Sequence, residues 1–161
     1  MPQLQRLRLD HGPALLAFER ENRAYFAASI PDRGDEYFAE FDARHTALLA
    51  EQAAGLLHFH VLVDDEGNVL GRVNLIDVAD GSAELGYRIA KSASGQGLAT
   101  TAVHEVCALA ATEYGLTTLR AATNLDNIGS QKVLTRNGFV LTGETVVDDR
   151  PELHYTRNLA D

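Results

Sequence analysis

Apolar and polar residues alternate in the middle of the chain, and this alternation predicts β-strands. Every second residue from 57 to 63 is apolar, which is the period of a strand with one buried face. Two further apolar runs, residues 69–79 and 83–89, are separated by Asp80-Gly81, whose residue types favour a tight hairpin turn. Residues 56–89 are therefore predicted to form an antiparallel meander of three strands.

Helical spacing frames this meander on both sides. Apolar residues three and four apart predict one helix that begins near Pro13 and a second that runs from Tyr37 to a terminal Gly55. A third helix follows the small-residue loop 91–97, and a fourth ends at Asn137-Gly138. Short strands are predicted before the first helix, between the third and fourth helices, and twice at the C-terminal end.

The order of these elements is β-α-α-β-β-β-α-β-α-β-β. It predicts an α/β fold of the α+β type, with a mixed, mostly antiparallel central sheet of about seven strands and four helices. We expect residues 1–161 to form a single domain, because no linker or internal repeat divides them.

Composition and charge narrow the class of protein. The 161 residues include 14 basic and 23 acidic side chains, which gives a net charge of −9. Because a nucleic-acid-binding protein normally presents a basic face, this balance argues against a nucleic-acid partner. It favours a cationic substrate, with acidity that serves solubility alone as the plain alternative.

Cysteine use and hydropathy bear on the compartment. Cys107 is the single cysteine, so an internal disulfide is impossible, and no Cys/His group has the spacing of a zinc site. His58 and His60 share a strand face but lack further ligands, so no metal is predicted. The first ten residues are too charged for a signal peptide, and no run approaches about 20 apolar residues. We therefore expect a cytoplasmic protein that does not bind a membrane.

The segment from Glu84 to Thr101 carries the chemistry. A strand ends there, Gly95 and Gly97 follow in a loop, and a helix begins at once. Such a helix start binds anions through its unpaired N–H groups, and glycine lets an anion approach the main chain. Leu98 breaks the Walker pattern, and Thr100 breaks the dinucleotide fingerprint. The remaining candidate ligand is a pyrophosphate that is held by main-chain amides without a metal. The alternative is that the loop has only a structural role.

Three ordered segments resemble the GNAT superfamily of N-acetyltransferases, and within it the branch of ribosomal-protein N-terminal alanine or serine acetyltransferases. The segments read AELGYRI at 83–89, GQGLAT at 95–100, and NLDNIGS at 124–130, which leads to RNGF at 136–139. They are similar to that branch's AEIGYxL strand, GxGxA phosphate loop and NxxNxxSxxvlxkxGF helix. The resemblance implies the family's fold, acetyl-CoA as cosubstrate, and no metal.

The resemblance also assigns residues to the coenzyme, as expectations. The main chain of Tyr87, Arg88 and Ile89 is expected to pair with the pantetheine arm as an added strand would, and an amide near Ile89 to stabilise the oxyanion. Asn127 is expected to contact the pantetheine, with the capping of a helix as its plain alternative. The pyrophosphate is expected to bind the amides of Gly95, Gln96, Gly97, Leu98, Ala99 and Thr100.

Two residues are predicted to be catalytic. Glu84, just before a bulge expected in its strand, is the predicted base, and Asp148 and Asp149 are its competitors. Ser130 lies where the branch places a hydroxyl near the coenzyme sulfur. Leu134 stands where many relatives carry a tyrosine acid, so Ser130 is the predicted proton donor. The plain alternatives are a solvated strand residue for Glu84 and a helix-capping residue for Ser130.

The predicted reaction moves an acetyl group from acetyl-CoA to a primary amine by direct attack on the thioester. A protein N-terminal amine is the expected acceptor. Small amines, such as a polyamine, an amino acid or an aminoglycoside, form the second hypothesis, and a non-catalytic acyl-CoA-binding module forms the third. The sequence leaves open whether the chain forms a homodimer.

Overall fold

One seven-stranded sheet organises the structure, a computed structural model that describes residues 1–160. The strands lie in the order β1-β2-β3-β4-β5-β7-β6, and every neighbouring pair is antiparallel except β4 and β5. The predicted mixed, mostly antiparallel sheet is confirmed. The strands are β1 (Gln3–Arg6), β2 (His58–Val63), β3 (Val69–Ala79), β4 (Ser82–Ile89), β5 (Thr118–Asn124), β6 (Val140–Val147) and β7 (Arg150–Asn158).

Six α-helices accompany the sheet within residues 1–160, where four were predicted. They are α1 (Gly12–Glu21), α2 (Arg23–Ala27), α3 (Asp35–Ala39), α4 (Phe41–Ala53), α5 (Leu98–Thr112) and α6 (Ile128–Arg136). The first predicted helix breaks at Asn22, whose side chain donates to the Phe18 carbonyl and accepts from the Lys91 amide. The second breaks at Glu40, where φ is −103° and ψ is 15°. The additional helices are therefore parts of the two that were predicted.

The hairpin between β3 and β4 has the turn that its sequence predicts. Asp80 and Gly81 take positive φ angles of 52° and 79°, as a two-residue turn of this type requires. The prediction of a bulge in β4 after Glu84 is wrong, because β4 pairs with β3 without a shift in register from Glu84 to Ile89. The irregularity lies instead in β3 at Asp77, which has φ of 52° and gives that strand an additional residue.

Apolar residues pack in two cores, one on each face of the sheet. The core under α5 and α6 includes Val73, and the core under α1 and α4 includes Leu15 and Phe59. β2 lies between the two cores, so all six of its residues are buried although the alternation predicted one exposed face. His60 is buried there, and its ring nitrogens bond the Val73 carbonyl (3.0 Å) and the Tyr114 hydroxyl (2.6 Å).

The C-terminal strands form an exposed edge of the sheet. Every residue of β6 is exposed, and the turn to β7 at Asp148-Asp149 takes positive φ angles of 50° and 62°. Within residues 1–160, none of the helices has the length and apolar character that a membrane crossing requires.

Candidate active site

The sheet opens between β4 and β5. The two strands pair in parallel only where residues 82–84 face residues 118–120, and beyond this point β5 continues alongside β7. β4 runs on to Ile89, paired with β3 on its other side. From Leu85 onward, one edge of β4 therefore faces a gap rather than a strand.

The alternation of hydrogen bonds determines which β4 residues face this gap. Opposed residues of antiparallel strands alternate between pairs that exchange hydrogen bonds and pairs that do not. The Ala90 amide donates to the Leu70 carbonyl at 2.8 Å, so by alternation Arg88 also bonds β3. Tyr87 and Ile89 consequently direct their amides and carbonyls into the gap, where an extended ligand can pair with them.

A cavity of about 640 Å³, the first cavity, occupies this gap. It brings together most of the residues that the sequence predicted for a coenzyme. Gln96 is the exception, since it is exposed and outside the lining. The predicted residues that line the first cavity are Tyr87, Arg88, Ile89, Gly95, Gly97, Leu98, Ala99, Thr100, Asn127 and Ser130.

The first turn of α5 presents free amides to the first cavity. Gly95 and Gly97 have φ angles of 76° and 75°, a left-handed conformation that glycine adopts without strain. No side chain caps α5 at Gly97, and within the described chain no amide from Gly95 to Thr100 donates to another protein group. Since the unpaired amides at a helix start attract anions, this turn fits a phosphate group.

Four basic side chains add positive charge to the first cavity, and one of them, Arg88, was predicted from the sequence to contact the coenzyme. Lys132 and Arg136 lie four residues apart on α6, which places them on the same face of that helix. Arg150 is the first residue of β7. The spacing of Lys132 and Arg136 indicates a basic helix face that could have been predicted from the sequence. No sequence feature near Arg150 indicates that it lines the cavity. Together the four residues suit an anionic ligand.

Ser130 lies beside Tyr87 in the lining of the first cavity. The two hydroxyl oxygens are 2.6 Å apart, and the Tyr87 hydroxyl is also 3.2 Å from the Ser130 carbonyl. Burial raises the pKa of Tyr87, against the smaller effect of its hydrogen bond to Ser130, so the phenol stays protonated at neutral pH. Asn127 caps α6 by accepting from the Ser130 amide at 3.1 Å, so the capping role belongs to Asn127 rather than to the Ser130 side chain.

A second cavity, of about 510 Å³, holds Glu84. Gly86 belongs to its lining, whereas the next residue, Tyr87, lines the first cavity, so the two cavities approach each other along β4. Arg44 and Ile76 line the second cavity and are exposed, so it opens at the protein surface.

One buried carboxylate contacts three arginines, of which one lines the first cavity and two line the second. Glu19 on α1 is 1% exposed; its Oε2 accepts from Arg72 (2.7 Å) and forms an ion pair with Arg33 (2.9 Å), and its Oε1 accepts from Arg88 (3.3 Å). We call these four residues the Glu19 cluster. Burial raises the pKa of Glu19, but the charges of Arg72 and Arg33 outweigh burial and hold that pKa below its ordinary value.

The Glu19 cluster was not predicted from the sequence, although the sequence contains a signal for it. Arg72 stands within the apolar run of β3, and Glu19 lies beside the buried Phe18 on α1. Because charged residues are rarely fully buried unless paired, two opposite charges at predicted core positions indicate an ion pair.

The remaining predicted residues lie outside both cavities. Asp148 and Asp149 form the exposed turn between β6 and β7 and belong to neither lining. Leu134 is 1% exposed and packs in the core under α5. Glu84 is therefore the one predicted base that lines a cavity.

Comparison with known proteins is consistent with this geometry. A family model described as the acetyltransferase (GNAT) domain matches residues 3–140. The probable N-acetyltransferase YjcK of Bacillus subtilis (strain 168) is 27% identical over 130 residues, which span 77% of this chain and 72% of that protein.

Two solved structures share the fold but differ in the acceptor that they name. Ribosomal-protein-S5-alanine acetyltransferase from Vibrio fischeri matches with a TM-score of 0.94 at 21% identity, over 99% of this chain and 94% of that one. Spermidine N-acetyltransferase from Vibrio cholerae, in complex with CoA and spermine, matches with a TM-score of 0.81 at 18% identity, over 99% and 96%. At such identities the likeness establishes the fold, and the acceptor has to be argued from the site.

Proposed function

The chain belongs to the GNAT acetyltransferase family, and on this premise we propose that it transfers an acetyl group from acetyl-CoA to the N-terminal amine of a protein or peptide. The observation that carries the proposal is the approach of two cavities at the open edge of β4. The first presents free amides and basic side chains, and the second presents a carboxylate. A thioester and an amine can therefore meet near Gly86 and Tyr87.

The first cavity has the groups that a coenzyme A thioester needs. The free amides at the start of α5 receive the pyrophosphate, and Lys132, Arg136 and Arg150 add positive charge around it. The carbonyls of Tyr87 and Ile89, and one of their two amides, receive the amide groups of the pantetheine arm, which leaves the other amide for the thioester oxygen. Bound in this way, acetyl-CoA supplies an activated acetyl group.

Glu84 prepares the amine for attack. An ammonium group has no lone pair, so Glu84, directly or through a water, takes a proton from it. The amine nitrogen then bonds to the acetyl carbon while the carbon–sulfur bond breaks, and the nitrogen releases a second proton to water, which balances the proton that the sulfur takes up. A main-chain amide of the open β4 edge, at Tyr87 or Ile89, stabilises the negative charge that develops on the thioester oxygen.

Tyr87 and Ser130 together provide the proton for the departing sulfur. When the Tyr87 hydroxyl donates to Ser130 Oγ, the Ser130 proton is free to move to the thiolate, and the Tyr87 proton replaces it. The raised pKa of Tyr87 keeps that proton in place before the reaction. Tyr87 thus serves as the proton source, a role that the apolar side chain of Leu134, buried in the core, cannot fill.

The shape of the second cavity supports a peptide as the acceptor. Because the cavity opens at the surface beside Arg44 and Ile76, a chain that enters by its N-terminus can continue into solvent. A small amine would fit the cavity as well, so the test compares the two kinds of acceptor.

The experiment follows thiol release from acetyl-CoA with peptides that begin with Ala or Ser, and with spermidine and other small amines. Glu84→Gln is expected to lower kcat by about 10²–10⁴-fold and Ser130→Ala by a smaller factor, while calorimetry shows unchanged coenzyme A affinity. Glu105→Gln, an exposed change on α5, is the matched control. If coenzyme A binds tightly but no amine is acetylated above background, the protein is a binding module and the proposed activity is wrong.

A further inference from the structure

The second cavity is rich in arginine, although the chain as a whole is acidic. Arg33, Arg44 and Arg72 line it, and Glu84 is the carboxylate among its lining residues. The net charge of −9 favoured a cationic acceptor. The local charge around the proposed acceptor site has the opposite sign.

The nearby carboxylate of Glu19 does not balance these charges. Glu19 binds Arg33, Arg72 and Arg88 at once, so one negative charge meets three positive charges. Arg72 is 4% exposed, which leaves little water to offset the excess. Since a buried charge without a counterion is costly, the Glu19 cluster is short of an anion.

Unpaired polar atoms are concentrated in the same place. In the described residues, four buried side-chain nitrogen or oxygen atoms lack a hydrogen-bond partner, and three of them belong to residues of the second cavity. Arg33 Nε and Arg72 Nε are donors, and Asn74 Oδ1 is an acceptor. All three atoms are closed to water, so an acceptor reaches them only where a side chain shifts toward the cavity; guanidinium donors then suit a carboxylate, and the oxygen of Asn74, opposite Gly86 in the β-ladder, suits an amine.

We propose that the acceptor carries a carboxylate in addition to its amine, and that Arg33 and Arg72, with Arg44 at the mouth of the second cavity, bind this carboxylate. The proposal rests on the proposed acetyl transfer and adds the chemical class of the acceptor. It disfavours polyamines, which would place further positive charges beside three arginines.

Two sources supply the same chemistry. In a free amino acid, the carboxylate is adjacent to the amine. In a peptide, it belongs to an aspartate or glutamate that closely follows the N-terminal residue. The experiment separates the two sources by including both.

The acceptor panel uses peptides of equal length, amidated at the C-terminus, in which two glutamates, two glutamines or two lysines follow an N-terminal alanine. Free alanine, alaninamide and spermidine complete the panel. At low salt, kcat/KM for the preferred carboxylate-bearing acceptor is expected to exceed that of its uncharged counterpart by roughly 10- to 100-fold, because hydrogen bonds to charged groups are strong. The ratio should shrink as salt screens the arginines.

Substitutions of the arginines that line the second cavity test whether this cavity causes the preference for a carboxylate. Arg33→Gln and Arg44→Gln are expected to reduce the ratio of kcat/KM for the carboxylate-bearing acceptor to kcat/KM for its uncharged counterpart at least severalfold, while coenzyme A affinity persists. Arg72 is too deeply placed in the Glu19 cluster for a clean test, so the more exposed Arg33 and Arg44 are used, with circular dichroism to confirm folding. Arg20→Gln, an exposed change on α1 outside both cavities, is the matched control.

Failure of this inference can be told apart from failure of the proposed function. Turnover of spermidine or the lysine peptide at the same rate as the glutamate peptide, or faster, overturns the carboxylate and leaves acetyl transfer standing. If no acceptor turns over, acetyl transfer is wrong, and calorimetry with coenzyme A present still compares the glutamate and lysine peptides. Equal affinity for the two peptides then overturns the carboxylate site as well.

Discussion

Replacing Glu19 with glutamine is expected to destabilise the protein more than any surface change. The substitution keeps the size of the side chain and removes the negative charge that three arginines share. Glu19 is 1% exposed and Arg72 is 4% exposed, so water can do little to compensate. The arginine charges would then repel one another in a partly buried place.

The magnitude follows from this burial. Removing one partner of a buried ion pair costs about 3–5 kcal/mol in the free energy of unfolding, because the remaining charge is left without its counterion. For a domain of this size, each kcal/mol lowers Tm by roughly 2–4 °C. Glu19→Gln should therefore lower Tm by roughly 6–20 °C, whereas Glu21→Gln, an exposed change on the same helix, should change stability by less than about 0.5 kcal/mol.

The pH dependence provides a second and sharper readout. The pKa of Glu19 in the folded protein lies below its ordinary value of 4.5. Its stabilising effect is therefore fully present above about pH 4.5 and is lost as the pH falls through the folded-state pKa. Urea unfolding at a series of pH values should show a wide gap between wild type and Glu19→Gln at pH 7 that narrows below pH 4.5. A small gap that does not vary with pH would refute the claim that Glu19 is the counterion of this cluster.

Three further substitutions, one of them with a matched control variant, have outcomes that the structure specifies. Gly86→Ala has room for its Cβ, so urea unfolding should show a free energy of unfolding that is higher by about 0.5–1 kcal/mol. Its kcat/KM should fall, because the Cβ enters the second cavity near the point where the two cavities approach each other. Gly97→Ala places a side chain at a residue with φ of 75°, which should lower the free energy of unfolding by about 1–2 kcal/mol and weaken coenzyme A binding as measured by calorimetry. Its control is Gly34→Ala, at φ of 89°, which should lower stability without changing coenzyme A binding. Burial lowers the pKa of His60 to about 4. Between about pH 6.5 and pH 4 the unfolded chain therefore takes up a proton that the folded chain does not, and stability falls by about 3 kcal/mol, a loss that His60→Gln should reduce in urea unfolding.

Features that depend only on residues adjacent in the sequence could be predicted from the sequence. The Asp80-Gly81 hairpin and the glycine loop before α5 are set by local backbone preferences, so their residue types were sufficient. The break at Asn22 could not be predicted in this way. It depends on a hydrogen bond from the amide of Lys91, which is distant in sequence and comes close only in the folded protein.

The two cavities differ in the same respect. Most predicted residues of the first cavity come from two short segments, around the glycine loop and the start of α6, so a motif could mark them. The arginines of the second cavity, Arg33, Arg44 and Arg72, come from a loop, a helix and a strand. Only the fold of the sheet and helices brings them together, and no spacing along the chain reveals it.

The net charge of −9 does not describe the charge of the two cavities, because acidic and basic residues are segregated in the structure. Four basic residues line the first cavity and three line the second, which is half of the 14 in the chain. In the described part of the chain, the acidic residues of these linings are Asp126 and Glu84. A bound ligand responds to charges within about a Debye length, roughly 8–10 Å, so the acidic exterior contributes little to the field in either cavity. The acidic exterior therefore disfavours polyanions at the surface, while the basic residues of each cavity give it a local positive charge that would favour the anionic groups proposed above.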